Sequence, residues 1–114
     1  MKFNFPLQVV FYKTQAGTEP VRDWLRSLSK QERKTIGKEI KIVQFGWPLG
    51  LPLVRKLEFG LWEIRARVSH KIFRIIFTVY RNYIVLLHGF VKKSQKIHGQ
   101  DLELAKERKR QLGG

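Results

Sequence analysis

The chain has 114 residues, 43% of them hydrophobic, and sets 23 Lys and Arg against nine Asp and Glu for a net charge of +14. That length points to a single domain, residues 1–114, built on one modest core. With no cysteine, and with His70, His88 and His98 free of any ligand-like spacing, disulfide staples and a zinc site are argued against, and a reducing cytoplasm suits the composition.

The positive charge is spread through the chain. Residues 1–57 carry 11 basic and four acidic groups, and residues 58–114 carry 12 and five, so each half has a net charge of +7. A folded body this basic repels itself, and the usual compensation is a polyanion: nucleic acid, a ribosome or an acidic protein. No long apolar segment or basic amphipathic stripe suggests a membrane. The opening MKFNFPLQVVFYK is broken by Pro6 and Gln8, and reads as a strand, not a signal peptide.

In chain order, Leu7–Tyr12 is a β-rich run and TQAGT a loop. Thr18 suits an N-cap and Pro20 a first turn. Val21, Trp24, Leu25 and Leu28 then follow helical spacing. SKQE, Ser29 to Glu32, is a capping box for a second helix with an Ile36, Ile40, Val43 stripe, which Gly46 ends as a left-handed cap ahead of Pro48. After the connector GWPLGLP the period changes to two, predicting strands near 53–58, 61–68, 72–80 and 83–91. Asp101 caps a last helix whose acids come first and bases last, as the helix dipole favours. The expected fold is α+β: an antiparallel sheet of four to five strands, two N-terminal helices packed on one face, and a C-terminal helix.

The register of the central strands carries the chemistry. Trp62, Ile64, Ala66 and Val68 alternate with Leu61, Glu63, Arg65 and Arg67, while Phe73, Ile75, Phe77 and Val79 alternate with Arg74. Matching core face to core face through a tight turn at Ser69-His70 sets Arg65 opposite Arg74. The Arg81-Asn82 turn pairs Tyr80 with Tyr83 and hence Arg74 with Gly89, aims His88 at the core, and brings Lys93 onto the Arg74 face. Like charges directly opposite on a sheet repel. The expectation is therefore a solvent-facing anion cradle of Arg65, Arg74 and Lys93, with a phosphate as its natural guest. Losing either arginine should then cost no more than about 0.5 kcal/mol of stability.

LEFGLWEIRARVSHKIFRIIF, followed by VLLHGFVKKSQK and a basic last helix, resembles the RelE/ParE superfamily of type II toxin–antitoxin systems, and within it the HigB-like, phage-type branch. The resemblance runs from roughly Val9 to Leu112. It implies a cytoplasmic toxin that enters the ribosomal A site, cuts mRNA there, and is neutralised by a cognate antitoxin, expected to be a helix-turn-helix protein. Many members of the superfamily have Tyr where this chain has Trp62 and Phe73.

By the same resemblance the RNA 2′-OH is the nucleophile and no cofactor or metal is needed. Arg65 and Arg74 would hold the phosphate, and Lys93 the phosphate or the leaving oxygen. Lys56, Arg67, Lys92 and Lys96 would contact the RNA. The base stays open between Glu63, which lies on the right face but also suits a role orienting Arg65, and His88, which titrates in the useful range. Set against these roles, a lone strand arginine is more often solvated surface, a KK pair a solvated strand end, and His88 as readily a core histidine. Two other function classes remain: a ParE-like toxin that inhibits DNA gyrase, and a non-catalytic RNA-binding protein.

Overall fold

The computed structural model describes residues 7–92 and 99–113. Its elements are β1 (Gln8–Phe11), α1 (Pro20–Arg26), α2 (Lys30–Gly46), β2 (Val54–Glu58), β3 (Leu61–Val68), β4 (Lys71–Tyr80), β5 (Tyr83–Lys92) and α3 (Gly99–Arg110). The strands form one sheet in the order β1-β5-β4-β3-β2. From β2 to β5 each strand is antiparallel to the next, whereas β1 lies along β5 and runs parallel to it. The sheet is therefore mixed and not wholly antiparallel as expected. A tight turn fixes the direction of the strand that follows it, but no local signal fixes that of β1, whose partner is reached only after two helices and three further strands. Among the described residues no helix is long and apolar enough to cross a membrane.

Local chemistry sets the helix ends. Pro20 opens α1, and the residue before it, Glu19, occupies the cap position expected of Thr18. Thr18 instead closes the preceding loop: its N–H donates to Thr14 Oγ1 at 3.1 Å and its carbonyl accepts from the Thr14 N–H at 2.8 Å. The capping box of α2 is formed, with the Glu32 N–H donating to Ser29 Oγ at 3.1 Å and the Ser29 N–H to the Glu32 carboxylate at 2.9 Å. Gly46 ends α2 without being a left-handed cap. The chain leaves the helix at Trp47 (φ −59°, ψ 137°), in the extended conformation that a following proline imposes. Because α3 begins at Gly99, Asp101 falls inside its first turn and does not cap it.

Alternation in the strands builds two apolar clusters. Ile64, Ala66, Phe73, Ile75 and Phe77 pack with Val21 of α1 and with Ile36 and Val43 of α2. On the reverse face Leu61, Ile76, Val85 and Leu87, with Tyr12, lie under Ala105 of α3. Helices thus cover both faces of the sheet. The second cover is needed because Ile76, Val85 and Leu87 make that face apolar too, a feature hidden inside runs that alternation assigned to one core.

Between β3 and β4 the pairing agrees with expectation: Ile64 with Ile75, Arg65 with Arg74, Ala66 with Phe73. Between β4 and β5 it agrees only at first. Tyr80 pairs with Tyr83 and Phe77 with Leu86, but a bulge follows and Ile76 meets His88. One extra residue reverses the facing of everything beyond it. Arg74 therefore stands opposite Phe90 and not Gly89, and His88 leaves the α1–α2 core for the α3 side. Gly89 is turned to α1, where a Cβ would lie 2.4 Å from Cε3 of Trp24. The missing side chain makes room for an indole, not for an anion above Arg74. Gly89→Ala is expected to destabilise the protein by about 1–3 kcal/mol, the usual cost of overpacking. Chemical denaturation should show the loss, and Trp24→Leu in the same chain should restore part of it.

Candidate active site

Arg74 is on a central strand and its side chain is 2% exposed, as is that of Glu63. Its Nη1 donates to Glu63 Oε1 at 2.8 Å. The cradle is therefore not solvent-facing as alternation suggested, and Glu63 holds Arg74, not Arg65. Burial follows from position: β3 and β5 flank Arg74 on either side, and α3 covers part of the same face. A guanidinium has five N–H donors, and this one uses only part of them. Arg74 Nε and Nη2 are buried with no acceptor among the described residues, and so is Nε of the directly opposed Arg65.

Arg65, but not Arg74, lines a cavity of about 200 Å³ together with Pro52, Arg67 and Ile72. Arg65 is half-buried and Arg67 exposed. Buried donors without acceptors next to a basic cavity favour an anionic guest, because each unmet donor costs more than a solvated one and a charged acceptor bonds it strongly.

The remaining predicted residues divide. Lys56 pairs with Trp62, whose ring stacks on Phe77 in the α1–α2 core, so it belongs to the opposite face of the sheet from Arg74. Its neighbour Arg55 pairs with Glu63 and takes the position on the arginine face. Sequence reasoning missed Arg55 because Leu53, Val54 and Leu57 leave the parity of β2 ambiguous; the burial of Val54 decides it. Lys92 ends β5 opposite Ile72. Lys93 and Lys96 lie outside the described residues.

His88 enters this face through the bulge. Its Nε2 is 2.6 Å from Asp101 Oδ1 of α3, and its ring stacks on Phe90 with centroids 5.4 Å apart at 20°. The neighbouring bulge residue is held as well, since Arg108 Nη1 donates to the Leu87 carbonyl at 2.8 Å. Burial draws the Arg108 pKa below its ordinary value. Asp101 was also missed as a partner of His88, because its place near a helix start suggests a cap. Among the described residues no group of three or more His, Cys, Asp or Glu is arranged to hold a metal ion.

Residues 23–110, from within α1 to the end of α3, match the family described as Phage derived protein Gp49-like (DUF891). The chain belongs to that family, which is one of RelE-like toxins. No curated protein matches it.

The buried pair generates a test of the site's architecture. Arg74→Ala leaves a buried, unpartnered carboxylate and should cost about 3–5 kcal/mol, several times the surface-residue value. Replacing both partners together, Glu63→Leu with Arg74→Met, should recover most of that loss. Urea denaturation of the two variants checks it.

Proposed function

We propose that this protein is the toxin of a type II toxin–antitoxin system, of the HigB-like branch of RelE-type toxins, and that it cuts mRNA on the ribosome by attack of the RNA 2′-OH. The observation that carries the reading is the set of buried arginine donors, Nε and Nη2 of Arg74 and Nε of Arg65, without acceptors among the described residues. A phosphodiester supplies acceptors with the right charge, and donors fixed in a buried site stabilise the extra negative charge of a phosphorane without having to reorganise. Family membership supports a toxin of this general kind. The net charge of +14 suits a ribosomal and RNA environment and an acidic surface on the antitoxin.

In this reading Arg74, locked by Glu63, is the fixed half of the phosphate site and half-buried Arg65 the adaptable half. Arg55 and Arg67 border the same face and would hold the flanking backbone, and Lys92 keeps the role that the resemblance gives it. Lys93 and Lys96 keep the role that the resemblance gives them. The antitoxin would be a helix-turn-helix protein, and the place of action the cytoplasm.

Programmed ribosomes with a defined mRNA in the A site test the proposal. Purified protein should cleave the message and leave a 2′,3′-cyclic phosphate, in EDTA as well as without it once ribosome integrity is controlled. A 2′-deoxy nucleotide at the scissile position should stop cleavage but not binding. Cleavage of the deoxy substrate would overturn the 2′-OH mechanism, and growth arrest with DNA damage but intact transcripts would replace the reading with the gyrase-directed one.

Arg65→Ala should lower the cleavage rate by roughly 10²–10³-fold, the usual effect of losing one donor to a developing anion. Unlike Arg74→Ala, it removes no buried ion pair, so its denaturation midpoint should stay close to wild type. A variant cleaving at the wild-type rate would remove Arg65 from the phosphate site.

A further inference from the structure

Ile36 and Val43 are fully buried against the sheet, and they fix which way α2 is turned. At about 3.6 residues per turn, Lys30, Lys34, Lys38, Lys41 and Phe45 fall in one stripe on the opposite side of that helix. All five are exposed, Phe45 by 66%, and Ile42 beside them is 44% exposed. No basic stripe is expected from the sequence, because only the burial of Ile36 and Val43 shows which side of α2 meets water. The apolar side of α2 is already covered by the sheet, so this is not a helix that lies in a membrane surface.

The charges of this stripe are unmet. Among the described residues none of its four lysines forms a salt bridge. The other charged groups of α2 are turned elsewhere. Glu32 accepts from the Ser29 N–H and from Lys71 Nζ at 3.4 Å, and Arg33 donates to the carbonyls of Arg26 and Leu28 at 3.3 and 3.1 Å. Glu39, half-buried, comes one turn after Ile36 and one turn before Val43, so it belongs to the inner side. Like charges one turn apart destabilise a helix, and a row of solvated lysines needs no exposed phenylalanine at its end. A chain of phosphates would answer the lysines but not Phe45 and Ile42. A second helix, with carboxylates at the same spacing and apolar residues at one end, answers both. Gly37 favours its approach: a Cβ there would meet nothing within 4 Å, so beside Lys34 and Lys41 no side chain stands in the way of another backbone.

We propose that the outer face of α2 is a docking surface for an acidic amphipathic helix of a partner protein, whose carboxylates face Lys30, Lys34, Lys38 and Lys41 and whose apolar end covers Phe45 and Ile42. The lysines carry the rate of association and its salt dependence, and Phe45 carries the slow release. The apolar end also gives the complex a polarity, since only one direction of the docked helix brings its anchor to the C-terminal end of α2. The inference does not depend on the ribonuclease reading. Because α2 packs on the Phe73 and Ile75 side of β4, and Arg74 lies on the other, the docked helix and an anion on the arginines occupy opposite faces of the sheet.

The experiment titrates the full-length protein against labelled probes and reads fluorescence anisotropy. The first probe is a synthetic helical peptide about four turns long, the length of the stripe, with Glu one turn apart along one side and Leu and Phe at one end of that side. The second has the same composition with its Glu residues scattered around the helix, and the third is a short RNA duplex. The patterned peptide should bind about tenfold or more tightly than the scattered one. Lys34→Glu with Lys38→Glu should weaken it by roughly 10²-fold, because like charges then face each other. Phe45→Ser should weaken it by about tenfold and leave the scattered peptide unchanged. Reversing two exposed charges elsewhere, Lys13→Glu with Arg26→Glu, makes the same change in net charge and should cost the patterned peptide less than about threefold. Equal affinity for the two peptides overturns the proposal, and so does an equal loss from the Lys13 and Arg26 reversals, since net charge alone would then explain binding. Tighter binding of the RNA duplex, lost on reversal of Lys34 and Lys38 but indifferent to Phe45→Ser, overturns it in favour of a nucleic-acid surface. All these side chains are exposed, so denaturation midpoints should stay close to wild type. Should the Lys34 and Lys38 reversal denature more easily, Lys34→Gln with Lys38→Gln decides: about tenfold weaker binding of the patterned peptide supports the assignment, and unchanged binding overturns it.

Discussion

Two guanidinium groups directly opposite each other on neighbouring strands repel, and this sheet accommodates them because Glu63 takes up one of the two charges. The carboxylate lies between Arg55, its partner across β2, and the Arg74 guanidinium, its diagonal neighbour. Desolvating two charges for one short ion pair is not a route to stability, since a well-packed apolar pair in the same space serves as well or better. What the arrangement supplies is a fixed, dry cation with spare donors. Glu63 neutralises one arginine and leaves the opposed one in need of a counter-charge from outside. The unmet donors thus belong to the sheet itself.

The bulge in β5 is the second device on which the face depends. Without it the ladder would run on from Phe77–Leu86, place Gly89 against Arg74, and send His88 into the α1–α2 core. With it, a glycine faces Trp24, where only a glycine fits, and a histidine faces α3, where a carboxylate waits. One inserted residue therefore sets the contacts on both sides of the sheet, Gly89 against Trp24 and His88 against Asp101. Both bulge residues are gripped from α3, His88 by Asp101 and Leu87 by Arg108.

How much of this the sequence discloses depends on the range of the interaction. Hairpin registers set by two-residue turns are legible, and so is the opposition of Arg65 and Arg74, because parity and turn length leave no other match. The capping box of α2 is legible for the same reason: both partners lie within four residues. Parallel pairing of β1, burial of Arg74, and the second covered face are not, since each depends on elements far apart in the chain. The bulge is the instructive case. LLHGF contains a glycine, the usual sign of such an irregularity, but a period-two reading can attribute it equally to space above a ligand. Only the Trp24 ring, more than sixty positions earlier, decides between the two.

The edge position of β1 also governs how the chain assembles. The hairpins from β2 to β5 close turns of a few residues, whereas pairing Gln8 with Tyr83 closes a loop of about 75. Loop-closure entropy grows with that separation and must be met before the four-residue strand gains any contact. The meander and its bulge thus form a template from local pairings, and β1 is added to a finished edge. The two opposed arginines, both within the meander, acquire their register before the N-terminal strand arrives. In time-resolved amide exchange, protection of Val9 and Val10 would lag behind that of Ile64 and Ile75.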